Sequence, residues 1–487
     1  MTTLILLMLI ANFPGDVRVR GSYSFPEPRG IRENYWEGGN TYFYQRLRLY
    51  AAGFDAVLLT EKDRGEQWGD LVTGGIRYSS GNGFSAAAGA LSVQFAHGLV
   101  LDHSGSWGSA NPLALSKALS HRVELKNAES PGDADTGPLM GIATEYSFGS
   151  FTLAAVAARS HFDPSGTGLH RSPPEILARG SLTRDLMAFR AGCGPAGLSF
   201  ALVSDNADTL ETSGSRIGAD LHIEGVNSVL TGEFSTDLSS SANFAISASR
   251  GSPDLRHGVT VSRNTGQMNE TSEVFSTEHR FGAGYGLRWR LAPAVLVDGG
   301  ILYLRGETDD RVKAGLQFTQ SLQNRTELSQ RFTVSYMNHE QTLNGRVSAG
   351  WNPHRDVSLT LKVPLALYSD TADADETGVG VELRLKHRVS DLLEYSLSAS
   401  GCSTDGWNSR VYAYTLSFPG EFGSTALYGR TVLLQASVSL HIDDRAVLRL
   451  KGGWYRKEGE DTLGSGWEET EGPSRTEAGV QLDWNFE

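Results

Sequence analysis

The chain is poor in cysteine, in net positive charge and in long apolar runs, and each shortage excludes a class of protein. Cys193 and Cys402 are the 2 cysteines in 487 residues. They stand far apart, without the paired spacing of a metal or redox motif. Two inert thiols are the simpler reading, and a bridge between them stays open. Lys and Arg number 43 against 56 Asp and Glu, a formal net charge of -13, which argues against a general nucleic-acid surface, since that would be basic. Hydrophobic content is 39% and mean hydropathy -0.26, so no bundle of membrane helices is present. The only candidate spanning helix, residues 4–13, falls short of the ~20 residues that crossing requires. It has no basic region before its apolar run and no small-x-small cleavage site before Asp16. Residues 1–16 therefore read as a degenerate export leader, with an N-terminal strand as the alternative. None of this excludes a membrane β-barrel, in which only alternate residues are apolar and average hydropathy stays low.

What is present is alternation. Over residues 477–487, Ala478, Val480, Leu482, Trp484 and Phe486 share one parity, and Gly479, Gln481, Asp483, Asn485 and Glu487 share the other. Side chains in a strand have a period of two, so this is a ribbon with one apolar and one polar face. An aromatic-ended strand of this kind, with Trp484 and Phe486 near its end, looks like the closing strand of an outer-membrane barrel. Val312, Ala314, Leu316 and Phe318 oppose Lys313, Gly315, Gln317 and Thr319 in the same way. Val379, Val381, Leu383 and Leu385 oppose Gly380, Glu382, Arg384 and Lys386, and Val357, Leu359, Leu361 and Val363 oppose Ser358, Thr360 and Lys362. The 56 glycines suit tight turns and close strand packing.

Strands come in pairs joined by turns of a few residues: 41–50 with 54–61, 140–148 with 151–161, 280–291 with 294–305, 378–388 with 394–400, and 431–442 with 446–456. Longer, polar and often acidic stretches separate the pairs. Short turns at one end and long loops at the other are what an up-and-down membrane barrel requires. Eleven hairpins plus a first strand near 17–24 and the final strand give about 24 strands, with about 20 to 26 as the range, an even number inside the bacterial span. If 411–418 crossed the membrane, the turn at Asp443–Asp444 would fall at the wrong end. Residues 404–430 are therefore expected to form one long outer or inward-folded loop. The expectation is an all-β protein: a single transmembrane antiparallel up-and-down barrel over 17–487, apolar outside and polar in its lumen. Long loops are expected near 102–139, 162–184, 403–430 and 457–474. A soluble exported all-β protein, whether propeller, solenoid or sandwich, has the same periodicity and is the alternative.

Three segments resemble one family of large Gram-negative barrels. Residues 89–101 (GALSVQFAHGLVL) are similar to that family's FGxGLVL strand, and residues 166–180 (GTGLHRSPPEILARG) to its GLHRTxxEI loop. Residues 410–422 (RVYAYTLSFPGEF) with 426–430 (ALYGR) are similar to its YAY…PGxF…LYG segment. Members are described as helix-hairpin-helix domain-containing proteins, after a small ComEA-like module preceding the barrel. The similarity runs from about residue 41 onward and implies architecture and an outer-membrane location rather than an activity. This sequence shows no such module ahead of the barrel, which weakens the inherited suggestion of DNA contact.

The candidate lumen or gate residues are Lys313, Lys362, Glu382, Arg384, Arg449 and Lys451, with Asp483 beside them. They would form either an eyelet or plug contact, or transverse charge pairs that stiffen the wall. His170, Arg171 and Glu175 would form a polar gating cluster, or else flank a helical turn capped by Ser172 and started by proline. His97, Asp102 and His103 near Ser104 and Ser106 look superficially catalytic. No GxSxG elbow exists and strand ends collect such residues by chance, so no enzyme is expected. Asp370, Asp373, Asp375 and Glu376 lack the ordered spacing of a Ca2+ loop and read as a solvated acidic stretch. Trp454, Tyr455, Trp484 and Phe486 fit interfacial girdles. The functional expectation is a gated or plugged channel for a solute or polymer, with a surface anchor as the alternative. No cofactor or metal is expected. The expected partners are outer-membrane lipid, the barrel-assembly machinery and a periplasmic or surface protein, with nucleic acid not expected.

Overall fold

In the computed structural model the described residues are 13–96, 100–103, 124–127, 139–162, 169–207, 210–237, 242–263, 279–306, 310–322, 325–370, 375–421 and 423–486. The leader expected over 1–16 and the residues His97, Ser104, Ser106 and Asp373 lie wholly or mostly outside them.

Among the described residues thirty strands form in chain order. The first nine are β1 (Gly15–Phe25), β2 (Thr41–Ala51), β3 (Phe54–Lys62), β4 (Leu71–Ser79), β5 (Phe84–Phe95), β6 (Leu101–His103), β7 (Glu124–Asn127), β8 (Leu139–Phe148) and β9 (Phe151–Phe162). Next come β10 (Leu182–Cys193), β11 (Ala196–Ala207), β12 (Leu210–Glu224), β13 (Ser228–Thr236), β14 (Ala242–Gly251), β15 (Leu255–Arg263), β16 (His279–Ala292), β17 (Val295–Gly306), β18 (Asp310–Leu322), β19 (Thr326–Met337) and β20 (Glu340–His354). The last ten are β21 (Val357–Ser369), β22 (Glu376–Arg388), β23 (Leu393–Thr404), β24 (Val411–Tyr414), β25 (Ser424–Leu427), β26 (Arg430–His441), β27 (Ala446–Lys457), β28 (Thr462–Leu463), β29 (Thr470–Glu471) and β30 (Ser474–Phe486). Among the described residues no helix is long and apolar enough to cross a membrane.

Twenty-four of these strands form one closed antiparallel barrel. The excluded ones are β6 and β7, which only extend the tip of β5, and the separate pairs β24–β25 and β28–β29. The seam is β1 against β30, in continuous register from Gly15 opposite Phe486 to Phe25 opposite Thr476. Trp484 lies opposite Val17, and the Phe486 ring covers Gly15 and packs with Val17 and Leu47 on the outer surface. Closure follows from the solvent. Lipid offers nothing to an unpaired backbone N–H or C=O, each of which costs several kcal/mol.

All eleven connections at the end holding both termini span two to four residues. The other end carries the long connections, but only in part: 338–339 joins β19 to β20 in two residues. Directly opposed residues of an antiparallel pair share a face, so the apolar parity can be followed round the barrel. Leu58, Ile142, Met187, Ile301, Val334, Leu383 and Val480 are all exposed outward. Phe54, Phe148, Phe151, Trp289, Trp351 and Trp484 form a girdle at the short-turn end, as interfacial aromatics do. The expected Trp454 and Tyr455 pair divides. Tyr455 lies opposite Leu433 on the inner face, because two consecutive strand residues cannot face the same way.

The lumen is not uniformly polar, which corrects the expectation. Leu139, Ala143, Ala154, Val156, Leu186, Ala188 and Ala201, on β8 to β11, face inward and are buried. Against them packs the tip of β5 and β6, with Val93, Phe95, Val100 and Leu101 all at 2% exposure or less. The strand leaves the wall at Gly89, whose φ of +107° and contact with Gly75 Cα leave no room for a side chain. Beyond it the chain reaches across to β12 and β13, where the Val100 N–H donates to Glu233 Oε1 at 3.2 Å and its side chain fills the space over Gly218. An apolar inner face therefore marks where protein, not water, fills the lumen.

A buried ion pair braces this half. Arg190 Nη2 on β10 donates to Asp220 Oδ1 on β12 at 2.8 Å, with 2% and 1% side-chain exposure. The pair spans β11 above Gly197, where an added Cβ would lie 2.5 Å from Arg190 and 2.6 Å from Asp220. Arg190→Ala is expected to cost about 3–5 kcal/mol, because it removes the cation paired with a buried carboxylate. Gly197→Val should destabilise comparably with both charges retained. Denaturant unfolding of the detergent-folded barrel measures both, and wild-type midpoints would contradict the bracing role.

Candidate functional site: a lumenal hairpin, a loop cap and the chamber between them

The connection from β23 to β26 turns into the lumen as a two-stranded sheet, β24–β25, in register from Val411 opposite Leu427 to Tyr414 opposite Ser424. Strand parity explains why it adheres. Val411, Ala413 and Leu427 point to one side and bury against Ala366 and Leu433 of the wall, with Cys402 and Tyr455 alongside. Its polar contacts include four of the residues singled out in the sequence. Lys362 Nζ lies 2.8 Å from Glu382 Oε1 and 4.2 Å from the centre of the Tyr414 ring. The Tyr414 N–H donates to Glu382 Oε2 at 3.2 Å, and Arg384 Nη2 donates to the Tyr414 carbonyl at 2.8 Å. Lys451 Nζ pairs with Glu421 at 2.8 Å and sits 4.8 Å from the Phe418 ring centre.

Sequence reasoning missed the side chain at the centre of this contact. Arg20, 1% exposed, donates through Nε to Gln481 at 2.8 Å and through Nη2 to the Pro419 carbonyl at 2.7 Å, and it pairs with Glu421 at 3.6 Å. The signal was available, because Asp16, Arg18, Arg20, Ser22 and Ser24 alternate as a polar parity on β1. Gln435 holds the hairpin too, accepting from the Leu416 N–H at 3.1 Å. Arg449 does not touch the hairpin in these contacts. It pairs with Asp483, which also receives Arg18 at 2.5 Å. Lys313 lies on the inner face of β18 between Leu302 and Ser335, apart from the rest. Of the acidic stretch, Glu376 accepts from the Ser409 N–H at 3.1 Å and so anchors the hairpin's base. Asp102 and His103 lie on β6.

Above the hairpin, connections 26–40, 63–70, 169–181 and 458–473 bind one another into a cap. The short helix Pro173–Ala178 has a capping box, in which the Arg171 and Ser172 N–H groups donate to Glu175 Oε2 at 3.0 and 2.8 Å. Burial works against the charged form of Glu175, but these donors and the Arg171 charge hold its carboxyl below the usual range. The guanidinium of Arg171 lies 4.2 Å from the centre of the Trp36 ring and pairs with Glu468. Tyr35 stacks on Trp467 at 4.1 Å. His170 bonds not to Glu175 but to two residues that sequence reasoning passed over: Nδ1 to Asp70 Oδ2 at 2.7 Å, and its N–H to Glu66 Oε1 at 2.8 Å. Glu66, Asp70 and His170 bring ligand-type atoms within 4.8 Å of one another, an N/O set of the kind divalent metals take. Glu66 also receives the Asp63 N–H at 2.9 Å, and Asp70 receives Arg179 at 3.1 Å. With those positions engaged, the trio reads as a hydrogen-bonded lock between loops.

Between cap and hairpin lies a chamber of about 1220 Å³, lined by Arg20, Tyr42, Arg171, Glu421, Lys451 and Glu477 among others. The two cysteines are both free.

No protein-family model matches the chain, and no curated protein does so. Among solved structures it is similar to the FrpB iron transporter of Neisseria meningitidis in its apoprotein form, at 8% identity and TM-score 0.48, over 99% of this chain and 83% of that one. It is also similar to the P pilus usher PapC translocation pore, at 10% identity and TM-score 0.43, over 97% and 99%. The third is the ferric-catecholate import receptor Fiu of E. coli K12, at 9% identity and TM-score 0.43, over 97% and 82%. The strand ladder, its closure and the outward apolar belt establish the fold from the chain's own geometry.

Burial raises the Glu66 carboxyl above its ordinary pKa of 4.5, against the pull of its two backbone donors, and burial raises Asp63 likewise. A carboxyl whose folded pKa is raised favours the assembled cap most when protonated. Its contribution is complete below 4.5 and is lost as pH climbs through the raised value. Proteolysis within 63–70 and 169–181 should therefore be faster at alkaline than at mildly acidic pH. Glu66→Gln should flatten that dependence, and an unchanged profile would contradict the assignment.

Proposed function

We propose that the protein is an outer-membrane channel of a Gram-negative-type bacterium, held shut over part of its lumen by its own hairpin and cap. Its role would be passage or uptake of a solute or polymer, and the barrel would be the one found in the helix-hairpin-helix-containing family. The observation that supports this best is the attachment of β24–β25. The hairpin is a sheet of its own, joined to the wall by side-chain hydrogen bonds, ion pairs and one small apolar cluster. It can leave without opening a rung of the closed ladder, whereas moving a wall strand would expose backbone to lipid. Lys362, Glu382, Arg384 and Lys451 then act as the hairpin's seat, and His170, Arg171 and Glu175 act in the cap above it. A periplasmic or surface partner would supply the energy that releases them, and nucleic acid has no role in this reading.

The test is single-channel conductance in a planar bilayer at two salt concentrations, comparing the wild type with a variant whose residues 409–425 are replaced by a short Gly/Ser linker. The variant should conduct several-fold more than the wild type. Glu382→Ala, which removes the acceptor shared by Lys362 and Tyr414, should give flickering steps of intermediate size. Silence in all three proteins, with insertion verified, would end the channel reading and leave a surface anchor.

A further inference from the structure

We infer that the conducting path runs along the inner faces of β18, β19 and β20, and that it prefers anions; this rests on the channel reading above. The register gives the inner residues directly. Lys313 opposes Ser335, Gln317 opposes Arg331, and Arg331 opposes Arg346. Read outward from those pairs, the inner positions of the three strands carry four cations, Arg311, Lys313, Arg331 and Arg346, and two acids, Glu327 and Glu340. Apart from Met337 the remaining inner residues are Ser, Thr, Asn, Gln or Gly. This contrasts with β8 to β11, whose inner face carries a cluster of alanine, valine and leucine beneath the β5–β6 tip. Hydroxyls and guanidinium groups require water or polar partners, so this sector is built to be wet.

The sign of the path follows from where the charges sit. Glu327 lies near the short-turn end and Glu340 at the long-loop end, while Arg331 and Arg346 face each other at mid-depth. Like charges directly opposed in a ladder are unfavourable, and passing anions would relieve that repulsion. The acids nearest in register on the adjoining walls are already engaged: Asp298 on β17, level with Gln317 and Arg331, pairs with Arg288 at 2.6 Å, and Glu382 on β22 is held by Lys362, Arg384 and the Tyr414 N–H. Arg346 Nη1 donates to the Tyr414 hydroxyl at 3.1 Å, which places the hairpin at the border of this path rather than across it. A chain of net charge -13 thus presents a cationic strip inside. A ring or strip of Arg and Lys selects for anions by raising their local concentration.

Reversal potential in a KCl gradient tests the inference. The wild type should show chloride preference, stronger at low salt where screening is weak. Arg331→Gln/Arg346→Gln should reduce the preference, and Lys313→Glu/Arg331→Glu/Arg346→Glu should invert its sign. Heat-modifiable migration on gels verifies that each variant is folded. Cation preference in the wild type, or selectivity indifferent to the folded Gln variant, would overturn the anion path while leaving a channel. No current from the wild type or from the 409–425 replacement would remove the channel reading itself.

Discussion

The rest of the molecule depends on the unbroken backbone ladder, and above all on the seam where β1 meets β30. A sheet in lipid cannot leave an edge, so the first and last wall strands must find each other before any side-chain detail matters. The continuous register from Gly15–Phe486 to Phe25–Thr476 is that closure. It carries the aromatic end of the chain on the outside and the polar parity of both strands on the inside. Arg18, Arg20, Gln481 and Asp483 meet across it, so the same join that seals the membrane face assembles the seat for the hairpin.

A barrel of this width encloses more space than its own wall can fill, and the chain fills it from two directions. In one half, β5 leaves the wall at Gly89 and seats an apolar tip on small inward residues. In the other, β24–β25 sits among charges. The chemistry of the two seats differs as their roles would. An apolar seat offers nothing to water and has to be kept dry, whereas a seat made of ion pairs and hydrogen bonds can exchange its partners for water at modest net cost. The cap closes over the second, linking loops that are far apart in sequence through His170, Asp70 and Glu66.

Much of the fold was legible in the residues. The alternation at 312–319, 379–386 and 478–486 located wall strands and their outward faces. Parity of short turns kept 411–418 out of the wall, which preserved an even strand number. The alternation also marked Lys362, Glu382, Arg384 and Lys451 as inward. Less legible were strands with apolar residues on both faces, such as Thr152 to Ala158, because period-two reasoning has no way to tell lipid from a protein plug. Arg20 is illegible for a simpler reason: it shares the polar parity of β1 with four neighbours, and its partners Gln481 and Pro419 are far away in sequence.

The sequence by itself determined the local periodicity, and with it the strands, their two faces, the tight turns and the even count that closure requires. Those depend on neighbouring residues only, through the two-residue repeat of the strand and the solvent each face meets. Tertiary structure alone decided which inward charges share a partner. Arg20 and Gln481 are separated by nearly the whole chain, and His170 meets Asp70 and Glu66 from a different loop. Such pairings depend on the barrel's register and on how each loop turns once the wall is closed, and no local pattern encodes that geometry.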